Sequence, residues 1–288
     1  MSVWFCIPSA RPAEEAERVL KLWRERGYKI ALFVDWNPPG VPLYSRKSRG
    51  DLMLCGGGQY APKYDAKPTN GPLELRGPLD PGGRQYYPHF NEYPGYAQAV
   101  NALIVEVMKE DPQAEWFVTG GDDVEPDLNH TAEEIARQCS ERFANLNWPA
   151  RGTPLSRSSP TFGVMQPTGD RFAGGSIDRI CGSPWMGREF CRRMYGGRGP
   201  FWPEYTHCFG DEEMFEVTKA MGVLWQRPDL IHLHRHFQRE SDALDSDAVK
   251  RDIPEHLIEA NSQAHWAKYK AIFTERKRLG FPGHQPIP

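Results

Sequence analysis

The amino-acid sequence predicts an α/β protein with a Rossmann-like, mostly parallel core sheet flanked by helices. A short apolar run at residues 3–7 precedes a helical pattern, and a second apolar run follows at 29–34. Strand, helix and strand in this order are typical of a parallel sheet. A further helical stripe begins after Gly95 and leads into an apolar strand at 115–119. This alternation favours a single α/β domain.

The first helix has recognisable start and stop signals. Pro12 suits a first helical turn, and Glu14 and Glu15 favour the positive end of the helix dipole. Gly27 suits the C-terminal cap. The apolar positions recur at helical spacing: Ala16, Val19, Leu20 and Trp23. We therefore expect a helix between the first two strands.

The later elements are predicted from the same signals. Thr131-x-x-Glu134 is a capping box, and a helix should follow it. The remaining predictions are a strand at 161–165, helices at 185–195 and 212–221, a strand-like alternation at 230–237, and one or two helices within 254–279.

A long insertion separates the second strand from the helix after Gly95. Residues 36–93 are rich in Pro, Gly and Tyr and show no regular period. We expect short strands, a lid, or both in this segment. The predicted organisation is a main domain over 1–240 that contains this insertion, followed by a helical C-terminal extension over 241–288.

Composition excludes several classes of protein. The 288 residues carry 35 basic and 38 acidic side chains, a net charge of −3, so there is no global basic field for nonspecific nucleic-acid binding. Neither a transmembrane run nor a signal peptide is apparent, so we expect a cytoplasmic protein. The six cysteines form no C-x-x-C pair, which favours reduced thiols over disulfides or structural zinc. Nothing points to a membrane or to an obligate protein partner.

Two adjacent carboxylates follow the strand at 115–119. Ligands of open α/β sheets bind beyond the carboxyl ends of the strands, which is where Asp122 and Asp123 stand. Two such carboxylates can hold a hard divalent cation. Gly120 and Gly121 would let the backbone pass close to a ligand. The alternative is a solvated acidic turn.

Three alternating histidines provide a second candidate feature. On a strand, His232, His234 and His236 would point to one face. Neutral imidazole is a good metal ligand. The alternative is a polar strand face with partly exposed histidines.

A third feature is the acidic start of the helix near 212. Asp211 or Glu212 could act as a general base and accept a proton from an attacking hydroxyl. The alternative is a favourable interaction with the helix dipole, which is the interpretation we give to Glu213.

Aromatic residues close to these acids could bind an acceptor. Trp185 and Trp202, with Glu204 nearby, could stack on or contact a sugar or a base. The alternative is core packing. The sequence lacks the phosphate-loop, dinucleotide-binding and nucleophile-elbow motifs.

The order of these features resembles the nucleotide-sugar-dependent glycosyltransferases of the GT-A type. The resemblance covers roughly residues 3–236 and implies a GT-A-like domain, a divalent cofactor (Mn²⁺ or Mg²⁺) and a nucleotide-sugar donor, with a UDP-sugar expected. It implies Asp123 as the metal ligand, with His234 as the late ligand and His232 as the second choice. The family's acidic D-x-D motif has Gly121 at its first position here.

The resemblance also implies roles for residues outside the acidic motif. Asp211 is the first choice for the catalytic base and Glu212 the second, in a single-displacement reaction that inverts the anomeric configuration. The sequence itself leaves inversion and retention open. The implied donor-binding residues are Pro8, Ser9, Arg11, Asp35, Tyr96, Asn101 and Asp122.

The acceptor is less directly indicated. The segments at 116–123 and 162–170 resemble glycosyltransferase-like proteins of tailed phages, some of which modify hydroxymethylated pyrimidines in DNA. The leading acceptor is therefore a 5-hydroxymethylpyrimidine in phage DNA, in the host cytoplasm, and the alternative is a carbohydrate or surface glycan. Basic clusters that could contact phosphates are Arg46-Lys47-Ser48-Arg49, Arg151 with Arg157, Arg192-Arg193 and Arg276-Lys277-Arg278.

Two other functions remain open at this point. A metal-dependent hydrolase could use His232, His234 and His236 without a nucleotide. A non-catalytic sugar- or DNA-binding module on the same fold would explain why Gly121 replaces an acid.

Overall fold

The computed structural model describes residues 1–9, 13–34, 52–55, 95–144, 159–172, 174–235 and 262–287. Nine strands occur in these ranges: β1 Ser2–Ser9, β2 Lys29–Val34, β3 Leu52–Cys55, β4 Ala114–Val118, β5 Val124–Glu125, β6 Val164–Pro167, β7 Trp185–Gly187, β8 Leu224–Arg227 and β9 Leu233–His234. The helices of the same ranges are α1 Ala13–Glu25, α2 Tyr96–Glu110, α3 Ala132–Ala144, α4 Arg188–Arg193, α5 Gly210–Ala220 and α6 Gln263–Arg278.

Seven of the strands form one sheet in the order β3-β2-β1-β4-β7-β6-β8. β1 pairs in parallel with β2 and β4, β2 with β3, and β6 with β8, whereas β7 is antiparallel to both of its neighbours. The predicted α/β class with a mostly parallel sheet is confirmed. The chain proceeds from β1 to β2 on one side and places β4 on the other, so the strand order reverses between β1 and β4. In open α/β sheets, the crevice beyond the carboxyl ends of two such strands is the usual ligand site.

The two faces of the sheet are covered by different helices. Alternate residues of β1 point to opposite faces, as the pleat requires. Trp4 and Cys6 belong to a cluster with α2, α4 and α5, while Phe5 and Ile7 belong to a cluster with α1 and α3. The buried central strands therefore have apolar residues on both faces.

The helix α1 is fixed to the site end of the sheet by one tryptophan. The Trp23 ring stacks on Phe5 with centroids 3.7 Å apart, and its indole Nε1–H donates to the carbonyl of Val124 at 2.8 Å. Val124 opens β5, directly after the acidic pair. The predicted helix pattern thus anchors the chain beside Asp123.

Most predicted elements are confirmed within a few residues, and two are corrected. Residues 185–187, predicted as the start of a helix, form strand β7, because Trp185 pairs with Val118 and Met165 inside the sheet. The alternation at 230–237 yields only the two-residue strand β9 among the described residues, since its partner β5 is equally short. Strand β3 confirms a short strand in the 36–93 insertion; the other residues of that segment up to 93 lie outside the described ranges.

The C-terminal helix shares the core of the sheet. Tyr269 of α6 and Phe281 after it are buried in the same cluster as α2 and α5. The predicted division at 240 and 241 lies outside the described residues and stays a prediction. No described helix has the length and hydropathy needed to cross a membrane. The cysteines at 6, 139, 181, 191 and 208 are free thiols, as expected.

Candidate active site

The candidate site lies where β1 and β4 end side by side. Ser9, the last residue of β1, donates a hydrogen bond from Oγ to Asp122 Oδ2 at 2.5 Å. Asp122 lies four residues after the end of β4. This contact joins the two strand ends that flank the crevice, which is where ligands of open α/β sheets bind.

Hydrogen bonds fix the turn between β4 and the acids. Thr119 donates to the carbonyl of Cys6 in β1 at 2.7 Å. The Tyr96 hydroxyl, at the start of α2, lies 2.8 Å from Thr119 Oγ1 and 3.3 Å from the carbonyl of Gly120. Burial raises the pKa of Tyr96, and the nearby charge of Asp211 raises it further. Tyr96 therefore stays protonated, holds the turn and lies close to Asp211.

Gly121 has a steric reason to be glycine. The side chain of Asp123 lies over it, so a Cβ at position 121 would collide with Asp123 Oδ1. An aspartate at the first position of the acidic motif would therefore displace the carboxylate at the last position. The departure from the family motif follows from the way Asp123 is held in this chain.

Asp123 and His234 form the candidate metal-binding pair. Asp123 Oδ1 lies 3.2 Å from His234 Nε2, and the two side chains are 22% and 44% exposed. The pairing of β5 with β9 brings them together, because Val124 is opposite His234. The backbone N–H of His234 also donates to Asp170 Oδ2 at 2.9 Å. Sequence reasoning missed Asp170, which no motif marks.

The two side chains of this pair suit a divalent cation whose other ligands come from a substrate and from water. One carboxylate and one imidazole face each other with part of each side chain open to solvent. Among the described residues no group of three or more acidic, histidine or cysteine side chains is arranged as a complete metal cage. Mg²⁺ is commonly bound by one or two protein carboxylates together with phosphate and water oxygens, and Mn²⁺ also accepts carboxylate ligands. The residues present therefore fit the implied cofactor.

His232 does not fit the predicted role of second metal ligand. Its Nδ1 lies 2.6 Å from Ser183 Oγ, and its Nε2 accepts a hydrogen bond from Trp185 Nε1 at 3.4 Å. Ser183 in turn donates to the carbonyl of Thr119 at 2.9 Å. Burial lowers the pKa of His232 to about 3, so the ring is neutral. Both ring nitrogens are used inside the protein to support the turn that carries the acids. His236 lies outside the described residues.

The predicted catalytic acids stand together in the first turn of α5. Burial raises the pKa of Glu212, and the hydrogen bond to Asp211 and the charge of that residue raise it further. Glu212 therefore holds a proton at neutral pH. Glu212 Oε2 is buried and has no hydrogen-bond partner in the structure. The role of Asp211 as the catalytic base stays a prediction.

Glu213 does more than interact with the helix dipole. It is buried and accepts hydrogen bonds from Tyr195 at 2.9 Å and Tyr205 at 2.8 Å. Arg276 of α6 donates to both of its carboxylate oxygens. The third acid of the motif therefore fixes α5 to the C-terminal helix, a contact that local sequence patterns do not reveal.

Several other predicted site residues have structural roles. The Asn101 side chain holds the backbone of Phe201 through two hydrogen bonds of 2.9 and 3.1 Å, which removes it from the donor pocket. Trp185 is fully buried in β7, so it does not offer a stacking surface to an acceptor. Trp202 is covered by the Arg276 guanidinium, 3.8 Å from the ring centroid.

The remaining predicted residues are placed as follows. Pro8 is half-buried in β1 next to Ser9, and Glu204 is exposed in the loop before α5. Arg11 and Asp35 lie outside the described residues. Their predicted roles in donor binding stay predictions.

The described basic clusters are engaged in contacts within the chain. Arg192 pairs with Glu189, and Arg193 donates to the carbonyl of Ile287. In the last cluster, Arg276, Lys277 and Arg278 pair with Glu213, Glu216 and Glu275. Burial and these contacts contradict a phosphate-binding role for Arg193 and Arg276. Arg192, Lys277 and Arg278 are exposed, so their predicted phosphate contacts stay predictions. The clusters at 46–49 and 151–157 lie outside the described residues.

Comparison with known proteins gives little further information. No family model matches the chain, and no curated protein matches it. The crystal structure of a protein provisionally named a nucleotide-diphospho-sugar transferase, from Desulfovibrio desulfuricans G20, is similar over 97% of this chain and 97% of its own. The TM-score is 0.32 and the sequence identity 10%, which is too distant a likeness to carry an argument about activity.

Proposed function

We propose that this protein is a metal-dependent glycosyltransferase that moves a sugar from a nucleotide-sugar donor to an acceptor hydroxyl. The observation that carries the proposal is the Asp123–His234 pair, 3.2 Å apart, beside the Ser9–Asp122 hydrogen bond at the crevice between β1 and β4. A crevice of this kind is the usual ligand site of an open α/β sheet. Asp211 lies in the first turn of α5, and its charge contributes to the raised pKa of Tyr96, whose hydroxyl contacts the turn before the acids.

The metal-binding pair and the Ser9–Asp122 contact bind different parts of the donor. Asp123 and His234 would hold Mn²⁺ or Mg²⁺, which offsets the charge of the leaving diphosphate. Ser9 and Asp122 offer a hydroxyl and a carboxylate to the ribose or the transferred sugar. We expect a UDP-sugar as the donor.

The acid pair performs the proton transfer. Asp211 accepts the proton of the acceptor hydroxyl while the acceptor oxygen forms a bond to the anomeric carbon. The bond from that carbon to the diphosphate oxygen breaks, and the diphosphate leaves with the electron pair. Glu212 donates a hydrogen bond to Asp211 and keeps its accepting oxygen oriented. A single displacement of this kind inverts the anomeric configuration.

The acceptor we propose is a 5-hydroxymethylpyrimidine in phage DNA, whose primary hydroxyl is the nucleophile. Such a base must leave the stack to reach Asp211, as in other enzymes that modify bases. The free thiols of the described cysteines suit the reducing cytoplasm of a host cell. A carbohydrate or surface glycan is the alternative acceptor.

The two other functions lose support from the structure. A hydrolase built on three histidines needs His232, whose ring nitrogens are both engaged inside the protein. A non-catalytic module was favoured by Gly121, but a Cβ at this position would displace the Asp123 carboxylate, so the missing acid does not by itself favour lost activity. Neither alternative has a feature of its own in the described residues.

A donor-turnover assay tests the proposal. Release of nucleoside diphosphate from UDP-sugars is measured with Mn²⁺, with Mg²⁺ and with chelator, in the presence of hydroxymethylated DNA or glycan acceptors. Asp123→Asn should abolish release, whereas Glu125→Gln, which alters an ion pair with Arg235 on the same short sheet, should retain it. Equal turnover by Asp123→Asn and the unsubstituted protein would contradict the proposal.

A further inference from the structure

An exposed tryptophan contacts the residue that caps the helix carrying the candidate catalytic acids. Trp266 of α6 is 45% exposed, and its ring contacts Phe209 with centroids 5.8 Å apart. Phe209 is the N-cap of α5 and stands two residues before Asp211. Its backbone has a φ of 71°, an unusual conformation for a side chain of this size. The Phe209 ring, in contact with Trp266 and Phe273 of α6, links the tryptophan to the start of the catalytic helix.

Trp266 could fill the acceptor-stacking role that the sequence predicted for Trp185 and Trp202. Trp185 is fully buried and Trp202 is half-buried, whereas Trp266 is exposed. Among the described residues, the exposed large aromatic side chains are Phe172 and Trp266. Of these two, Trp266 is the one that contacts the N-cap of α5. We therefore expect the aromatic surface on which the acceptor stacks to lie on α6.

Two lysines lie near Trp266 on its own helix. Lys270 Nζ lies 4.5 Å from the centroid of the Trp266 ring, and Lys268 Nζ lies 5.1 Å from that of Tyr269. Residues 262–273 contain these two lysines and no aspartate or glutamate. This surface thus combines an exposed indole with ammonium groups on its own helix.

We propose that Trp266 and Lys270 form the acceptor subsite of this enzyme and bind an unpaired nucleic-acid strand, with a base stacked on the indole and a phosphate at the ammonium group. Aromatic side chains combined with positive charge are the usual means of binding single strands, because every base offers a flat face and every linkage a negative charge. This inference rests on the proposed glycosyltransferase function. It assigns the acceptor to a class, an extrahelical or single-stranded nucleotide.

The position of α6 fixes Trp266 relative to the catalytic base, Asp211. Arg276 of the same helix is hydrogen-bonded to Glu213, two residues after Asp211. A nucleobase stacked on Trp266 is therefore held at a fixed position relative to α5. A neutral sugar could also stack on an indole, but it carries no charge for the Lys270 ammonium group to attract.

Equilibrium binding of a fluorescent single-stranded oligonucleotide that contains one hydroxymethylated pyrimidine tests the inference. Stacking on an aromatic side chain contributes about 1–3 kcal/mol per base, so Trp266→Leu should weaken binding by about 5- to 150-fold while keeping apolar contact with Phe209. Trp266→Tyr, which keeps a flat ring, should restore most of the affinity. Lys270→Gln should weaken binding and reduce its salt dependence by about one phosphate contact.

The matched control is Lys21→Gln, which removes an exposed lysine of α1, on the opposite face of the sheet from α6. It should bind the oligonucleotide as the unsubstituted protein does. Unchanged affinity in either Trp266→Leu or Lys270→Gln would overturn the inference. Turnover of a neutral glycan that depends on Trp266 but neither on Lys270 nor on salt would overturn the nucleic-acid assignment.

The inference and the proposed function fail in different measurements. The oligonucleotide assay needs neither donor nor metal, so it reports on the α6 surface alone. The response to nucleoside diphosphate and Mn²⁺ reports on the crevice between β1 and β4. If the unsubstituted protein does not respond to nucleoside diphosphate and Mn²⁺, the transferase function is refuted. If Trp266→Leu binds the oligonucleotide normally, the subsite at Trp266 is refuted.

Discussion

Arg276 of the C-terminal helix donates two hydrogen bonds to Glu213, from Nε at 2.8 Å and from Nη2 at 2.7 Å. Both side chains are buried, and the guanidinium also lies on the ring of Trp202. Glu213 follows directly after Asp211 and Glu212. The last helix of the chain thus fixes the turn of α5 that carries the candidate catalytic base.

Removal of one partner of this pair should destabilise the protein strongly. Arg276→Met leaves the Glu213 charge buried without its cation, and breaking a buried pair in this way typically costs about 3–5 kcal/mol. Urea unfolding of Arg276→Met, Glu213→Gln and the double variant measures it. The double variant should be more stable than the sum of the single changes predicts. A loss under about 1 kcal/mol in Arg276→Met, as for an exposed pair, would show that the contact is not buried in solution.

A substitution that completes the acidic motif should impair the protein. In Gly121→Asp the new Cβ occupies the space of the Asp123 carboxylate, which must turn away from His234. Because the displaced atom is the end of a flexible side chain, we expect little change in unfolding free energy but loss of Mn²⁺-dependent nucleotide binding. Calorimetric titration with and without Mn²⁺ measures that binding. Stronger binding in Gly121→Asp would contradict the steric account.

Glu212 should lower stability as the pH rises. Its pKa is raised in the folded state by burial and by Asp211, so the folded protein keeps a proton that the unfolded chain releases above about 4.5. Glu212 therefore has no destabilising effect below about pH 4.5, and its destabilisation of the folded protein increases as the pH rises through neutral. Glu212→Gln should raise the melting temperature at pH 8 more than at pH 4.5. An equal shift at both values would show that Glu212 is ionised in the folded protein.

His232 should make the protein sensitive to acid. Its pKa is lowered to about 3 by burial, whereas in the unfolded chain it is near 6.5. Below about pH 6.5 the unfolded chain binds a proton that the folded protein excludes, so stability should fall as the pH decreases from 6.5 towards 3. The melting temperature of His232→Gln should depend less on pH over this range than that of the unsubstituted protein. Identical pH dependence would assign the acid sensitivity to other groups.

The sequence predicted the sheet well because its signals are local. The apolar strands at 3–7, 29–34 and 115–119 and the capping box of Thr131 and Glu134 depend on residues close in the chain. The capping contacts are present at 2.7–3.3 Å. The acid motif after β4 was found for the same reason, since strand ends mark ligand sites in this fold class.

The roles of individual aromatic and polar residues depended on contacts distant in sequence. Trp185 is a buried strand residue because it pairs with β4 and β6, and Asn101 is engaged because it meets a backbone 100 residues away. The Glu213–Arg276 pair spans 63 residues. No periodic pattern carries such pairings, so sequence reasoning assigned these residues by type alone.

The measurement that tests the central claim most directly is a thermal-shift panel of UDP, GDP, CMP and dTDP, each with and without Mn²⁺, on the unsubstituted protein, Asp123→Asn and Glu125→Gln. A ligand that binds only the folded state stabilises it by about 2.7 kcal/mol at a hundredfold excess over its Kd. The account predicts that one nucleotide raises the melting temperature of the unsubstituted protein and of Glu125→Gln only with Mn²⁺, and that Asp123→Asn loses the response. Absence of any nucleotide response with Mn²⁺, or the same response in Asp123→Asn, would contradict it.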